Sequence, residues 1–216
     1  MVGQVSDIAP HIEQRLPRTQ SRDARRLQVI EATIETLAER GYSRATLTEV
    51  ARRAKISHGL VLFHFQSKEN LLAETLAFMA EEYHQNWKGA IAGQTGDPAA
   101  ELHALILADF APAVCTRHKL AAWTAYWGEA QSLPVYQEIC GQKDGEYIAV
   151  LERISQDLLL RAGRHNDPAT LARILRLTQE GTWMDITTMS EPYSFDVARE
   201  TVLECARLLF RDQFPY

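Results

Sequence analysis

Two sets of side chains in this sequence could do chemistry through their types and spacing. The first is basic: Arg52, Arg53 and Lys55 stand around one break in the chain, and Ser57 and Lys68 follow at positions able to open further helices. Guanidinium and ammonium groups neutralise phosphates, and a helix N-terminus offers unpaired N–H groups to the same anions. Two short helices joined by a tight turn with this charge suit a helix-turn-helix, whose second helix enters the DNA major groove. The same pattern also describes a helical hairpin with a solvated basic face. The second set is aromatic. Trp123 and Trp127 lie one helical turn apart, Tyr126 sits beside their face, and Trp183 belongs to a later segment. Ring faces that converge on a cavity attract cations, quaternary ammonium groups above all, while the same spacing also serves an ordinary core.

Other chemistry is poorly supported. The seven histidines have no metal-ligand spacing, no Gly-x-Ser-x-Gly is present, and the glycines of Gly93–Pro98 lack the Lys-Ser/Thr of a phosphate loop. The chain is therefore read as a non-enzyme without a cofactor. Cys115, Cys140 and Cys205 are too widely spaced for a Cys-x-x-Cys pair and fit free thiols in a reducing compartment. No leader and no apolar run of membrane-spanning length is seen, so a cytoplasmic location is expected. The formal charge of −5 is unevenly divided: +3 through Asn70 and −8 beyond it. The basic end carries the helix-turn-helix pattern, and affinity for DNA depends on phosphates neutralised locally.

Long alanine- and leucine-rich stretches at 3- and 4-residue spacing predict an all-α fold. Residues 1–21, with Pro10 and Pro17, read as a loose tail in which Arg15, Arg18 and Arg22 are solvated or form an arm. A bracing helix is expected over Arg22–Arg40, stopped by Gly41. Thr46 with Glu49 forms a capping box, Ser57 caps the next helix, and Ser67 caps a long helix over Lys68–Ala92 that links the two halves of the chain. Further helices are expected over Ala99–Cys115, His118–Gln131, Pro134–Arg161, Pro168–Met189 and Phe195–Asp212. This gives a three-helix unit over 22–66 that carries the helix-turn-helix pattern and a larger all-helical part over 67–216.

The run Thr46–Leu72 resembles the DNA-binding region of the TetR repressors. The likeness rests on the apolar frame, on Ile56-Ser57-His58-Gly59, and most specifically on His64-Phe65-Gln66-Ser67-Lys68-Glu69. It implies that Ser57–Phe63 reads bases, with Thr46, Gly59, Leu60, Phe63 and His64 among the DNA-facing positions and Lys68 on phosphate. Lys55 stands where that family usually has a turn glycine, and a left-handed backbone there costs a non-glycine residue ~1 kcal/mol. Leu62 replaces a tyrosine that many members place on phosphate.

Farther on, Ala121–Trp127, Leu133–Tyr136 and Glu180–Trp183 are similar to the C-terminal domain of the choline-responsive BetI subgroup. That resemblance implies a DNA-binding domain over 22–66, a ligand-binding and dimerisation domain over 67–216, a homodimer on a near-palindromic double-stranded operator and a small-molecule effector, with choline as the candidate. Trp123, Tyr126, Trp127 and Trp183 would then serve the ligand, with Glu129, Glu180 or Asp185 as counter-charge. A regulator answering to an uncharged or anionic metabolite is the alternative. From other classes, an all-helical enzyme or a protein-interaction scaffold also remains open.

Overall fold

The computed structural model describes residues 18–94, 96–129 and 134–216, with side chains from Arg22 onward. Among these residues it contains nine α-helices and no strand. They are α1 (Arg18–Arg40), α2 (Leu47–Arg53), α3 (His58–Phe65), α4 (Lys68–Ala92), α5 (Pro98–Asp109), α6 (Arg117–Glu129), α7 (Pro134–Arg161), α8 (Pro168–Thr188) and α9 (Phe195–Phe210), followed by a 3-10 turn at Arg211–Gln213. None of them is long and apolar enough to cross a membrane. The first helix begins inside the stretch expected to be tail. Arg15, the side chain of Arg18 and the expected helix end at Gln131 lie outside the described residues. The expected Ala99–Cys115 helix stops at Asp109, and the chain turns through Phe110–Val114.

Local signals set most boundaries. The hydroxyls of Thr46, Ser57 and Ser67 accept from the N–H three residues on, at 3.2, 3.2 and 3.1 Å. Only this half of the expected capping box is used at Thr46, because the Glu49 carboxylate is taken by Arg52 at 2.6 Å. Gly41 closes α1 in the left-handed region, with φ 73°, and donates to Leu37 O at 2.8 Å. Helix α2 ends in a Schellman turn: Ile56 N–H donates to Ala51 O at 3.0 Å and Lys55 N–H to Arg52 O at 3.2 Å. Lys55 occupies the position that favours glycine, at φ 53°.

The brace role of α1 is carried by specific contacts. Ile30, Ile34 and Leu37 are buried in the core that also holds Val50, Ala51, Val61 and Phe65. Arg26 lies over the Phe65 ring at 4.6 Å, donates to His64 O at 2.7 Å and pairs with Glu74, so one side chain ties α1 to α3 and α4. Arg53 reaches back from α2 to Glu35 at 3.1 Å and to Glu39. Gln28 donates to Ala54 O at 2.8 Å, fixing the turn itself.

Two apolar cores result, and they do not divide at residue 67. One holds α1–α3 with the first half of α4, together with Ala122, Trp123 and Tyr126 of α6 and Cys140 of α7. The other lies between the end of α4 and α5, α7, α8 and α9. Helix α4 therefore serves both cores, and α6 packs against α1 on one side and α8 on the other. Tyr126 seats α6, its hydroxyl donating to Leu72 O at 2.7 Å and its ring standing edge-on to Tyr42 at 5.7 Å.

Lys55→Gly relieves the left-handed strain at the cost of a more flexible unfolded chain, so we expect a net gain of ~0.5 kcal/mol. A urea midpoint that moves down would show that the lysine side chain outweighs the strain. Tyr126→Phe removes one buried hydrogen bond and should lower stability by about 1 kcal/mol. The melting temperature should fall by roughly 2–4 °C for a chain of this size.

Candidate nucleic-acid face and effector cavity

On the helix-turn-helix, exposure sorts the basic residues. Arg52 projects outward, its side chain 67% exposed and, among the described residues, held by Glu49 one turn earlier. Its neighbour Arg53 is 18% exposed and committed to Glu35 and Glu39, so it turns inward as a structural cation. Thr46, Lys55, Ser57, His58 and Gly59 are exposed, Leu60 is half-buried, and Lys68 stands at the first turn of α4, donating to Ser43 O at 3.1 Å. Phe63 is 71% exposed on the same outer side of α3. His64 differs from the expectation: it is buried, and burial first, then Arg26, Arg22 and Arg25, hold its pKa below the usual imidazole value. A neutral, enclosed imidazole is poorly placed to meet a phosphate.

The aromatic residues do converge. A cavity of about 190 Å³ opens between α4, α6, α7 and α8. It is smaller than the ~300–1,000 Å³ pockets that take drug-sized molecules. Trp123 and Trp127 are stacked on one wall, 6.3 Å apart at 26°, and Trp127 Nε1 donates to the Tyr136 hydroxyl at 2.9 Å. Opposite them Tyr83 stands edge-on to Trp183 at 5.8 Å, and Tyr147 lies beside Tyr83 at 5.8 Å. The polar lining is Asp144, Glu180, Arg176 and Gln179, with Arg176 paired to Glu180 at 2.6 Å. Gln179 is buried, and its Nε2 has no partner among the described residues. Asp144 lies at the exposed rim, so water moderates the upward pull on its carboxyl from the surrounding protein and Glu180.

Behind the two tyrosines sits Asp109, the last residue of α5, 2% exposed. Its Oδ1 accepts from the Tyr83 hydroxyl at 2.8 Å and its Oδ2 from the Tyr147 hydroxyl at 2.7 Å. Burial pushes this carboxyl up to about 7, against the two phenol hydrogen bonds, which lower it. Burial likewise pushes the Cys115 and Cys140 thiols up to about 12, which leaves them unreactive as nucleophiles.

Of the residues expected at the ligand, the structure brings Trp123, Trp127, Trp183 and Glu180 together. Three others are elsewhere. Tyr126 points a helical step away, into the core beneath α4; Glu129 lies near Ser43 at 3.4 Å; and Asp185 accepts from the Tyr193 hydroxyl at 3.0 Å. Sequence reading missed Tyr83, Tyr136, Tyr147, Asp144 and Arg176. Tyr136, Asp144 and Tyr147 share one face of α7, while Tyr83 lies on α4 and Arg176 on α8, and only the packing of α4 and α8 against α7 brings the five to one place. The one-face spacing of Tyr136, Asp144 and Tyr147 along α7 was the available signal.

Residues 29–75 match bacterial regulatory proteins of the tetR family, and residues 98–211 match the C-terminal region of the BetI-type transcriptional repressor. The HTH-type transcriptional regulator BetI of Paraburkholderia phytofirmans is 26% identical over 190 residues, covering 85% of this chain and 92% of that protein. The BetI of Burkholderia thailandensis is 30% identical over 124 residues, covering 57% and 64%. Among solved structures, a transcriptional regulator of Pseudomonas aeruginosa PAO1 superposes with a TM-score of 0.73 at 24% identity, covering 93% of this chain and 95% of its own. A regulator of Saccharomonospora viridis, solved in complex with choline, superposes with a TM-score of 0.72 at 19% identity, covering 84% and 95%. The chain belongs to the TetR family of bacterial transcriptional regulators, with a C-terminal region of the BetI type.

Proposed function

We propose that this regulator is a homodimeric repressor released from its operator by a small organic cation of the quaternary ammonium class, choline being the first candidate. The observation that carries the reading is the cavity: six aromatic rings from four helices, with two carboxylates against one guanidinium already paired to one of them. Such a lining favours a cationic centre that is poorly hydrated and has no N–H to donate, because ring quadrupoles attract it without needing to replace strong water contacts. The choline complex of the Saccharomonospora viridis protein supports the same direction.

On DNA, α3 would lie in the major groove with His58 and Gly59 at the base edges and exposed Phe63 against a thymine methyl, while Arg52, Lys55 and Lys68 meet phosphates. Arg53 and His64 have structural roles in this proposal. Dimerisation would use the apolar side chains left exposed along α8 and α9: Ile174, Leu177 and Met184 on one, Val197 and Leu208 on the other. A two-fold axis there presents two recognition helices to half-sites ~34–36 Å apart, and so to a near-palindrome. Helix α4 runs from Lys68 to Tyr83 over roughly 22 Å at ~1.5 Å per residue, joining the phosphate end to the cavity wall. Effector that binds better to the conformation with misfit helix spacing lowers operator affinity by that difference.

Two measurements test the two halves. In tryptophan-fluorescence titrations, choline should bind at least tenfold more tightly than 3,3-dimethylbutan-1-ol, which has its shape without its charge. Equal affinities would favour an uncharged effector and remove the cation from the reading. In anisotropy titrations of upstream DNA against salt, Arg52→Ala and Lys68→Ala should each weaken binding and flatten the salt slope by about one unit, with melting temperature nearly unchanged. Arg53→Ala should lower the melting temperature and leave the slope unchanged; a flattened slope would place Arg53 on DNA after all.

A further inference from the structure

The aromatic cavity has a charge behind its wall that its lining does not reveal. Asp109 is buried and, among the described residues, takes part in no ion pair; its two oxygens are each held by one phenol, from α4 and from α7. The groups facing it are Tyr83 on α4, Tyr147 on α7, Cys115 in the turn beyond α5 and, farther off, Glu180 on α8, so no cation offsets it from any side. A buried carboxylate without a counter-ion is costly. The side on which its phenols' rings are exposed is the cavity.

We propose that Asp109 is the specificity-determining counter-charge of the effector site, acting on a bound cation through the hydroxyls of Tyr83 and Tyr147. This rests on the cation reading above and names the group that enforces it. A phenol donating to a carboxylate shifts electron density into its ring, and a more negative ring face holds a cation more strongly. The carboxylate adds its own field across a medium of low polarity, where it is little screened. A neutral ligand of equal size gains from neither effect.

Proton linkage follows. With its carboxyl near 7, Asp109 is largely protonated at pH 6 and largely ionised at pH 8. A cation binds the ionised form better, so choline uptake expels a proton and its affinity rises with pH through this window. The sign for folding is the opposite. A carboxyl whose folded pKa lies above its unfolded one loses stability as pH rises toward the folded value.

The test uses full-length protein, choline and 3,3-dimethylbutan-1-ol as probes, and calorimetric titration at pH 6 and pH 8. For the wild type, choline affinity should increase about tenfold from pH 6 to pH 8, while the neutral isostere shows no change. Asp109→Asn, which keeps the size and one acceptor oxygen while its Nδ2 can only donate to the second phenol oxygen, should remove most of that pH dependence, leaving the part that Asp144 contributes, and cut the choline-to-isostere preference about tenfold at pH 8. Tyr83→Phe, which keeps the ring but severs the link to Asp109, should reduce the preference in part and retain some pH dependence through Tyr147. Without ligand, the melting temperature of the wild type should rise relative to Asp109→Asn as pH falls from 8 to 6. Tight choline binding with the same pH profile and the same preference in Asp109→Asn would overturn the proposal and leave the cation reading intact. Failure of choline and tetramethylammonium to bind the wild type at either pH would overturn both.

Discussion

Helix α4 has to be buried twice. Its first half supplies Leu71, Leu72, Leu76, Met79 and Ala80 to the core under the helix-turn-helix, and its second half supplies Trp87 to the other core while Tyr83 packs beside it. A helix with only one apolar stripe could be stabilised by a single partner layer; this one needs different partners at its two ends, arriving from different parts of the chain. The placement of the other helices follows from that need. Helices α1 and α3 cover the first half, α5 and α7 the second, and α6 fills the region between α1 and α8. A displacement at either end of α4 is therefore opposed by packing at the other, which is the mechanical condition for coupling two sites along a rigid element.

The charges obey a similar division. At the DNA end, cations that matter for folding are drawn inward to named acids, Arg26 to Glu74 and Arg53 to Glu35 and Glu39, while Arg52, Lys55 and the start of α4 keep their charge toward solvent. At the cavity end the imbalance is reversed: carboxylates outnumber the guanidinium that could offset them. The two local surfaces thus differ in sign in the same direction as the two parts of the chain. Neither surface depends on the overall value of −5.

What the sequence made legible was whatever depends on near neighbours. The caps at Thr46, Ser57 and Ser67 act over three residues, and the left-handed cost at Lys55 belongs to one residue, so both could be read without a fold. The stacking of Trp123 on Trp127 follows from a single helical turn. Arg52 and Arg53 show the limit: adjacent and chemically identical, they are separated only by which side of α2 meets α1. Tyr126 was misplaced for the same reason, since a step of about 100° around α6 carries it from the cavity to the other core. Asp109 gave no signal at all, because its meaning comes from two tyrosines 26 residues before it and 38 after it.

Trp123 belongs to the core beneath the helix-turn-helix and at the same time lines the cavity. The two compartments therefore share a partition one indole thick. Under the proposed function, a molecule leaning on that ring would press on the core that seats α1 and α4. In that reading a signal need not travel the length of the molecule; it would only have to cross a wall. A partition of this kind can also be tuned in place, since a change in its thickness alters how each compartment feels the other while the contents of both stay as they were.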